Sequence, residues 1–217
     1  MRFFCILGGE QVEEFKTVKC AATGEYEEKR SKFIANCIPV STEAEAAEHI
    51  KRIKKDTFGA RHNVYAYVLK EGGLSRCSDD GEPHSTAGMP TLEVVKSAGV
   101  VDCLIVTTRY FGGVLLGTGG LVRAYTAAAK AALDAAGIAV MKMCRICKID
   151  CEYKDYDMAV RLLSDSGASV TETDYGEKIT VIFSVPDDIF GDVSAKITDK
   201  FSGKLACEVL KTDFSPF

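Results

Sequence analysis

The segment Arg109-Tyr-Phe-Gly-Gly-Val-Leu-Leu-Gly-Thr-Gly-Gly-Leu-Val-Arg123 constrains this chain most. An apolar run, Cys103-Leu-Ile-Val-Thr-Thr108, leads into it, and the alanine-rich pattern from Leu121 to Ala136 leads out. The flanks read as a strand and a long helix, the helix closed by Gly137. Between them stand Gly112-Gly113 and Gly119-Gly120, with Gly117 in the middle. Glycine weakens regular structure, so this density marks backbone shapes or close approaches that a Cβ forbids. A strand, a glycine turn and a helix N-terminus together present backbone N–H groups to an anion. Arg109 and Arg123 add positive charge at the two ends.

Neither familiar nucleotide motif fits. Gly112-x-x-x-x-Gly117 has the spacing of a P-loop, but Thr118-Gly119 follows where Lys and Ser/Thr belong. Gly117-x-Gly119-x-x-Val122 lacks the third glycine of a dinucleotide fingerprint. Tight helix-to-sheet packing explains the same glycines without any ligand. The phosphate-binding reading takes Gly112, Gly113, Gly117, Thr118, Gly119 and Gly120 as backbone donors, with Arg109 and Arg123 as charge.

The chain before this stretch alternates strands and helices. Residues 1–12 read as a loose tail, and Glu14 to Cys20 as a strand followed by a turn at Thr23-Gly24. Glu28 to Pro39 becomes a strand whose charged entrance, Lys29, Arg30 and Lys32, is either a solvated end or a further anion contact. Thr42-Glu-Ala-Glu45 is a capping box opening a helix that Gly59 ends, and Arg61 to Leu69 is a strand buried on both faces. Ser78 to Pro90 is a loop by composition, with Pro90 first in the next helix. Its carboxylates Asp79, Asp80 and Glu82 suit a hard cation such as Mg²⁺, or form a solvated turn. The spacing is not that of an EF-hand.

Met141 to Arg145 begins a second unit. From Ile146 onward the pattern reads strand, helix, strand, strand, helix, strand, the ferredoxin-like order. Expected boundaries are 1–140 and 144–217, in an α+β chain. Cys144 and Cys147 form a CxxC, but three apart on a strand they point to opposite faces. No second CxxC or His pair completes a zinc site, so no metal site is expected. Cys147, Ile149 and Cys151 share a face and read as core.

Nine cysteines, an odd number in a chain of 217 residues without a secretory leader, argue for reduced thiols and a cytoplasmic protein. No run approaches the ~18 apolar residues of a membrane span. The net charge of -4 is no signature of nucleic-acid binding, but it is uneven. Residues 144–217 hold 9 Lys and Arg against 14 Asp and Glu, and the first 143 hold 18 against 17. A polyanion partner therefore belongs to a local patch on the N-terminal part. His49, His62 and His84 accompany no nucleophile elbow, and catalysis has no readable residue set.

Ser78-Asp-Asp-Gly-Glu-Pro83, Thr86-Ala-Gly88, Arg109-Tyr-Phe-Gly-Gly113 and Leu116-Gly-Thr-Gly-Gly-Leu-Val-Arg-Ala-Tyr125 together resemble the YigZ/IMPACT family. Arg30-Ser-Lys-Phe-Ile34 and Ala60-Arg-His-Asn63 match its upstream motifs, so the resemblance covers most of residues 26–136. It implies an N-terminal domain like the second domain of a small-subunit ribosomal protein, a fold shared with the GHMP kinases. It implies a C-terminal domain similar to one of elongation factor G. Eukaryotic members carry an RWD domain, which has no counterpart here, and regulate translation by competing for a ribosome-associated activator of an initiation-factor kinase. RNA or translation proteins are thus the implied partners, with no DNA sequence specificity. The alternatives are an enzyme acting on a phosphorylated small molecule or nucleotide with Mg²⁺, and a protein-interaction module without a cofactor.

Overall fold

The computed structural model describes residues 14–217, so the expected loose tail lies outside the described residues. They form two compact units, Phe15–Val140 and Met141–Phe217. The first unit contains a five-stranded antiparallel sheet in the order β2-β3-β6-β4-β5. Its strands are β2 (Ala22–Glu28), β3 (Ser31–Pro39), β4 (His62–Val68), β5 (Ser75–Ser78) and β6 (Cys103–Tyr110), preceded by the short β1 (Phe15–Val18). The helices are α1 (Glu43–Asp56), α2 (Gly88–Ser97) and α3 (Gly117–Ala136).

Strand periodicity divides this sheet into two packed faces. Phe33, Ala35 and Cys37 of β3, Val64 and Ala66 of β4, and Cys103 and Ile105 of β6 meet α2 and α3 in one core. Ile38, Tyr67, Leu104 and Val106 point the other way and join Ala46 and Ile53 of α1 in a second. The central strand β6 is buried on both sides, as its apolar run requires. Half of the capping box is present: Thr42 Oγ1 accepts from Glu45 N at 3.2 Å, while Glu45 Oε2 reaches one residue further back and accepts from Ser41 N at 2.7 Å.

Three local expectations are corrected. Thr23-Gly24 is no turn but the middle of β2, and a Cβ on Gly24 would run into the backbone of Ala131–Ala132. That glycine serves the approach of α3 to the sheet. The turn falls instead at Lys29-Arg30, between the paired residues Glu28 and Ser31, with φ of 46° and 66°. A two-residue hairpin with both positions left-handed normally selects Asn and Gly. Helix α1 ends at Asp56 rather than Gly59, with Thr57 Oγ1 donating to Ile53 O at 2.8 Å. Pro90 is the third residue of α2, still within the first turn where its missing N–H costs nothing.

β7 (Ile138–Cys151) enters the second unit at Met141, and α4 (Tyr153–Asp165), β8 (Ser169–Tyr175), β9 (Ile179–Pro186), α5 (Phe190–Lys200) and β10 (Glu208–Pro216) follow in turn. Strands β7, β9 and β8 are adjacent in that order and β10 also pairs with β7. Alternate residues Cys147, Ile149 and Cys151 of β7 and Ile179, Val181, Phe183 and Val185 of β9 pack on Ala159, Leu163, Val193 and Ile197 of the two helices. The cysteines of this strand are core-filling, as their phase on a strand demands. No helix among the described residues is long and apolar enough to cross a membrane.

Candidate functional site

Helix α3 starts one turn earlier than its alanine pattern, at Gly117. Gly117, Thr118, Gly119 and Gly120 are therefore its first turn, not the approach to it. Leu116 at the N-cap supplies no side-chain hydrogen bond, and the first turn holds no acid. Gly117, Thr118 and Gly119 are exposed, so N–H groups that a helix of 20 residues leaves without intrahelical partners face outward. Gly120 is buried, and a Cβ there would press on Leu116 Cβ at 3.0 Å. Close packing thus accounts for Gly120 and not for the exposed Gly117 and Gly119.

Gly112 and Gly113 differ in the same way. A Cβ on Gly112 would collide with the backbone of Arg30 and Ser31, and Gly112 N donates to the buried Ser31 Oγ at 3.1 Å. Gly113 has a φ of 83° with open space around it and shapes the loop. The close approach at Gly112 puts the Lys29-Arg30 turn beside the loop that leads into α3. Lys29, Arg30 and Arg123 are exposed. Lys32 is not available in the same way, since Glu25 Oε2 lies 2.8 Å from its Nζ. That partner also raises the Lys32 pKa.

Arg109 is buried, and one end of its guanidinium is committed to a carboxylate, so it is not the freely exposed charge the sequence suggests. Its Nη1 donates to both Glu82 oxygens, at 2.7 and 2.9 Å, and Tyr125 OH donates to Glu82 Oε1 at 2.8 Å. Burial first, and the neighbouring Glu82 carboxylate second, push the Tyr125 hydroxyl far above its ordinary pKa. The Arg109 guanidinium lies 5.6 Å from the ring centroids of Phe33 and of Phe111, and its Nε, fully buried, has no hydrogen-bond partner.

The other two carboxylates of the acidic loop diverge from Glu82. Asp79 accepts from the backbone N–H groups of Ser85, Ala87 and Gly88 at 2.8 to 3.0 Å and so caps α2. Burial works to raise its pKa, but these three donors outweigh it and hold Asp79 below its ordinary value. Asp80, at φ 45°, accepts from Asn63 N at 2.7 Å and from Lys54 Nζ at 2.6 Å. Each acid thus serves different donors, and no group of three or more His, Cys, Asp or Glu among the described residues is placed to hold a metal ion.

The motif Ala60-Arg-His-Asn63 closes the network. Asn63 Oδ1 accepts from Thr108 Oγ1 at 2.7 Å and lies 3.1 Å from Thr57 Oγ1, and His62 Nδ1 lies 2.9 Å from the Asp80 carbonyl oxygen. A cavity of about 440 Å³ opens beside it, lined by Gly59, Arg61, His62, Arg109, Phe111 and Leu115. Phe111 and Leu115 are exposed apolar residues at its edge, and neither Arg61 nor His62 was marked as a site residue by sequence. The signal that pointed to them was only their place in a motif. A larger apolar groove of about 710 Å³ between α2 and α3 contains almost none of the motif residues.

The same motif-bearing part of the chain, residues 29–133, matches the family described as Impact N-terminal domain. Residues 149–204 match a domain of unknown function, DUF1949. The IMPACT family member YvyE of Bacillus subtilis is 37% identical over 194 residues, covering 89% of this chain and 89% of its own length. This chain belongs to the IMPACT family. The IMPACT family member YigZ of Escherichia coli is 31% identical over 82% of this chain and 88% of its own length. The human Protein IMPACT shares 32% over 96 residues, which are 42% of this IMPACT family chain and 29% of that protein's length. A solved structure of a hypothetical protein aligns with a TM-score of 0.58 at 28% identity over 93% of this chain and 99% of its own.

Proposed function

We propose that this chain is a translation-associated RNA-binding protein whose first unit contacts RNA phosphates at the N-terminus of α3 and the β2–β3 turn. The observation that carries this is the start of α3: three exposed residues, no side-chain cap, no acid in the first turn, and Arg123 one turn in. Such an end attracts a phosphate through outward N–H groups and the helix dipole. Arg123 Nη1 lies 3.7 Å from where a Cβ of Gly119 would sit, so its charge reinforces that end. Lys29 and Arg30 extend the patch across Gly112, and both hold a left-handed backbone that costs energy. Strain kept at an exposed basic turn supports a role in binding.

Contact of this kind reads no sequence. The translation association rests on the family resemblance, and the order of the second unit supports a ferredoxin-like assignment akin to the elongation-factor domain. The test is fluorescence anisotropy with a labelled single-stranded RNA over a range of salt. Binding falls as salt rises, and Arg123→Ala and Arg30→Ala each flatten the log–log slope by about 0.7, the loss of one single-strand phosphate contact. Absence of salt-sensitive RNA binding near physiological ionic strength overturns the proposal.

A further inference from the structure

The cavity beside Arg109 has a chemistry of its own. Its volume of about 440 Å³ lies in the range of roughly 300–1,000 Å³ typical of small-molecule sites. Two arginines, one histidine, one aromatic ring, a leucine and a glycine line it, with no carboxylate among them. Arg109 is 7% exposed, and Glu82 takes only its Nη1. The Asp80 carbonyl can only accept, so His62 Nδ1 carries the proton there. The ring nitrogen left for a ligand is Nε2, an acceptor while the imidazole is neutral.

We propose that this cavity binds a nucleoside monophosphate moiety, the base stacked against Phe111 and the phosphate held by Arg61 and Arg109. Phe111 is 54% exposed and offers the aromatic surface that unpaired bases use. Arg61, exposed at the start of β4, supplies a guanidinium that matches phosphate geometry. The Nε2 side of the His62 ring hydrogen-bonds a ribose hydroxyl or a base edge. The absence of acidic lining suits an anion, and the apolar edge at Leu115 suits a base rather than bare phosphate. The inference deepens the RNA-binding reading and rests on it: the moiety is one splayed nucleotide of a single strand whose neighbouring phosphates run to α3. A free nucleotide presents the same chemistry.

Isothermal titration with AMP, adenosine and inorganic phosphate, alongside anisotropy with a single-stranded oligoribonucleotide, tests this on the full chain. AMP binds, while adenosine and phosphate alone bind at least ~10-fold more weakly, since stacking and charge each contribute. Phe111→Ala and Arg61→Ala, both surface changes that leave the buried network intact, each weaken AMP and RNA binding by about 10-fold. Arg123→Ala weakens RNA binding alone. RNA binding that persists with no AMP binding overturns the inference and leaves the phosphate-contact reading standing. AMP binding indifferent to Phe111→Ala and Arg61→Ala also overturns it, because the nucleotide then sits elsewhere. AMP binding lost in both variants, with no RNA binding in the wild type, supports the cavity as a free-nucleotide site and defeats the RNA reading instead.

Discussion

Arg109 and Glu82 stand 27 residues apart in sequence and meet at 2.7 Å, both buried, with Tyr125 donating to the same carboxylate from α3. This contact ties the acidic loop, the central strand and the long helix into one unit. It explains why the acidic loop and the glycine stretch occur together in this chain. Removing one partner leaves the other charge buried and uncompensated. Arg109→Ala or Glu82→Ala alone is therefore expected to cost about 3–5 kcal/mol, whereas the double replacement Arg109→Met with Glu82→Leu costs less. Urea denaturation of the four proteins, read as a double-mutant cycle, checks it; additive losses would contradict the coupling.

The Lys29-Arg30 turn makes a prediction in two directions. Both residues sit at positive φ, where Asn-Gly is favoured. Replacing them by Asn-Gly is expected to raise stability by ~1–2 kcal/mol, because the left-handed strain disappears. The same change removes two charges from the patch, so RNA affinity drops while the melting temperature rises. A variant that gains stability with unchanged RNA affinity would show that the turn is not part of the interface.

Asp79 predicts a pH dependence. Its folded pKa lies below the ordinary value of 3.8, held there by three backbone donors against the cost of burial. A depressed folded pKa adds stability that is fully present above the unfolded value and is lost as pH falls through the folded one. Asp79→Ala is expected to cost about 0.5–2 kcal/mol at neutral pH, the range for loss of a helix cap. The gap between wild type and variant should narrow below about pH 4. Thermal melts of both proteins between pH 7 and pH 2 would reveal the convergence, and a constant gap would refute the assignment.

Two neighbouring glycines should behave differently. Ala at Gly112 must push against the backbone of Arg30 and Ser31, an overpacking that costs about 1–3 kcal/mol or more. Ala at Gly113 meets open space and carries only the strain of a φ of 83°, roughly 1–2 kcal/mol. Chemical denaturation should place Gly112→Ala below Gly113→Ala; the reverse order would contradict the close approach of the β2–β3 turn.

Thiol reactivity separates surface from core. Cys20 is exposed, while Cys37, Cys103, Cys144, Cys147 and Cys151 are buried. Burial raises Cys144 and Cys147 to about 11 each, and contact with Cys37 at 3.5 Å, together with burial, keeps Cys103 protonated. Mass-spectrometric mapping of brief iodoacetamide labelling should find Cys20 modified and these five modified only in denaturant. Fast labelling of any of the five would argue against its placement.

Periodicity alone specified much of the architecture. The alternation in β3, β4 and β6, the N-cap at Thr42 and the order of the second unit all follow from local spacing, because side chains on a strand point to alternate faces whatever the partner. The chain also indicated, through motifs, which segments matter. What it withheld was the purpose of individual glycines and charges. Gly24 reads as a turn, but the approach of Ala131–Ala132 places it inside a strand, and Lys29-Arg30 turns without any glycine. Arg109 reads as a freely exposed charge until Glu82, itself held by Tyr125, is found paired with it. The stretch from Arg109 to Arg123 was legible as a strand, a glycine-rich passage and a helix. Only tertiary contact decided that Arg109 and Gly120 are buried while Gly117 to Gly119 and Arg123 are left to solvent. A charge is free or spent according to what long-range folding places within hydrogen-bond distance, and no local pattern encodes that distance.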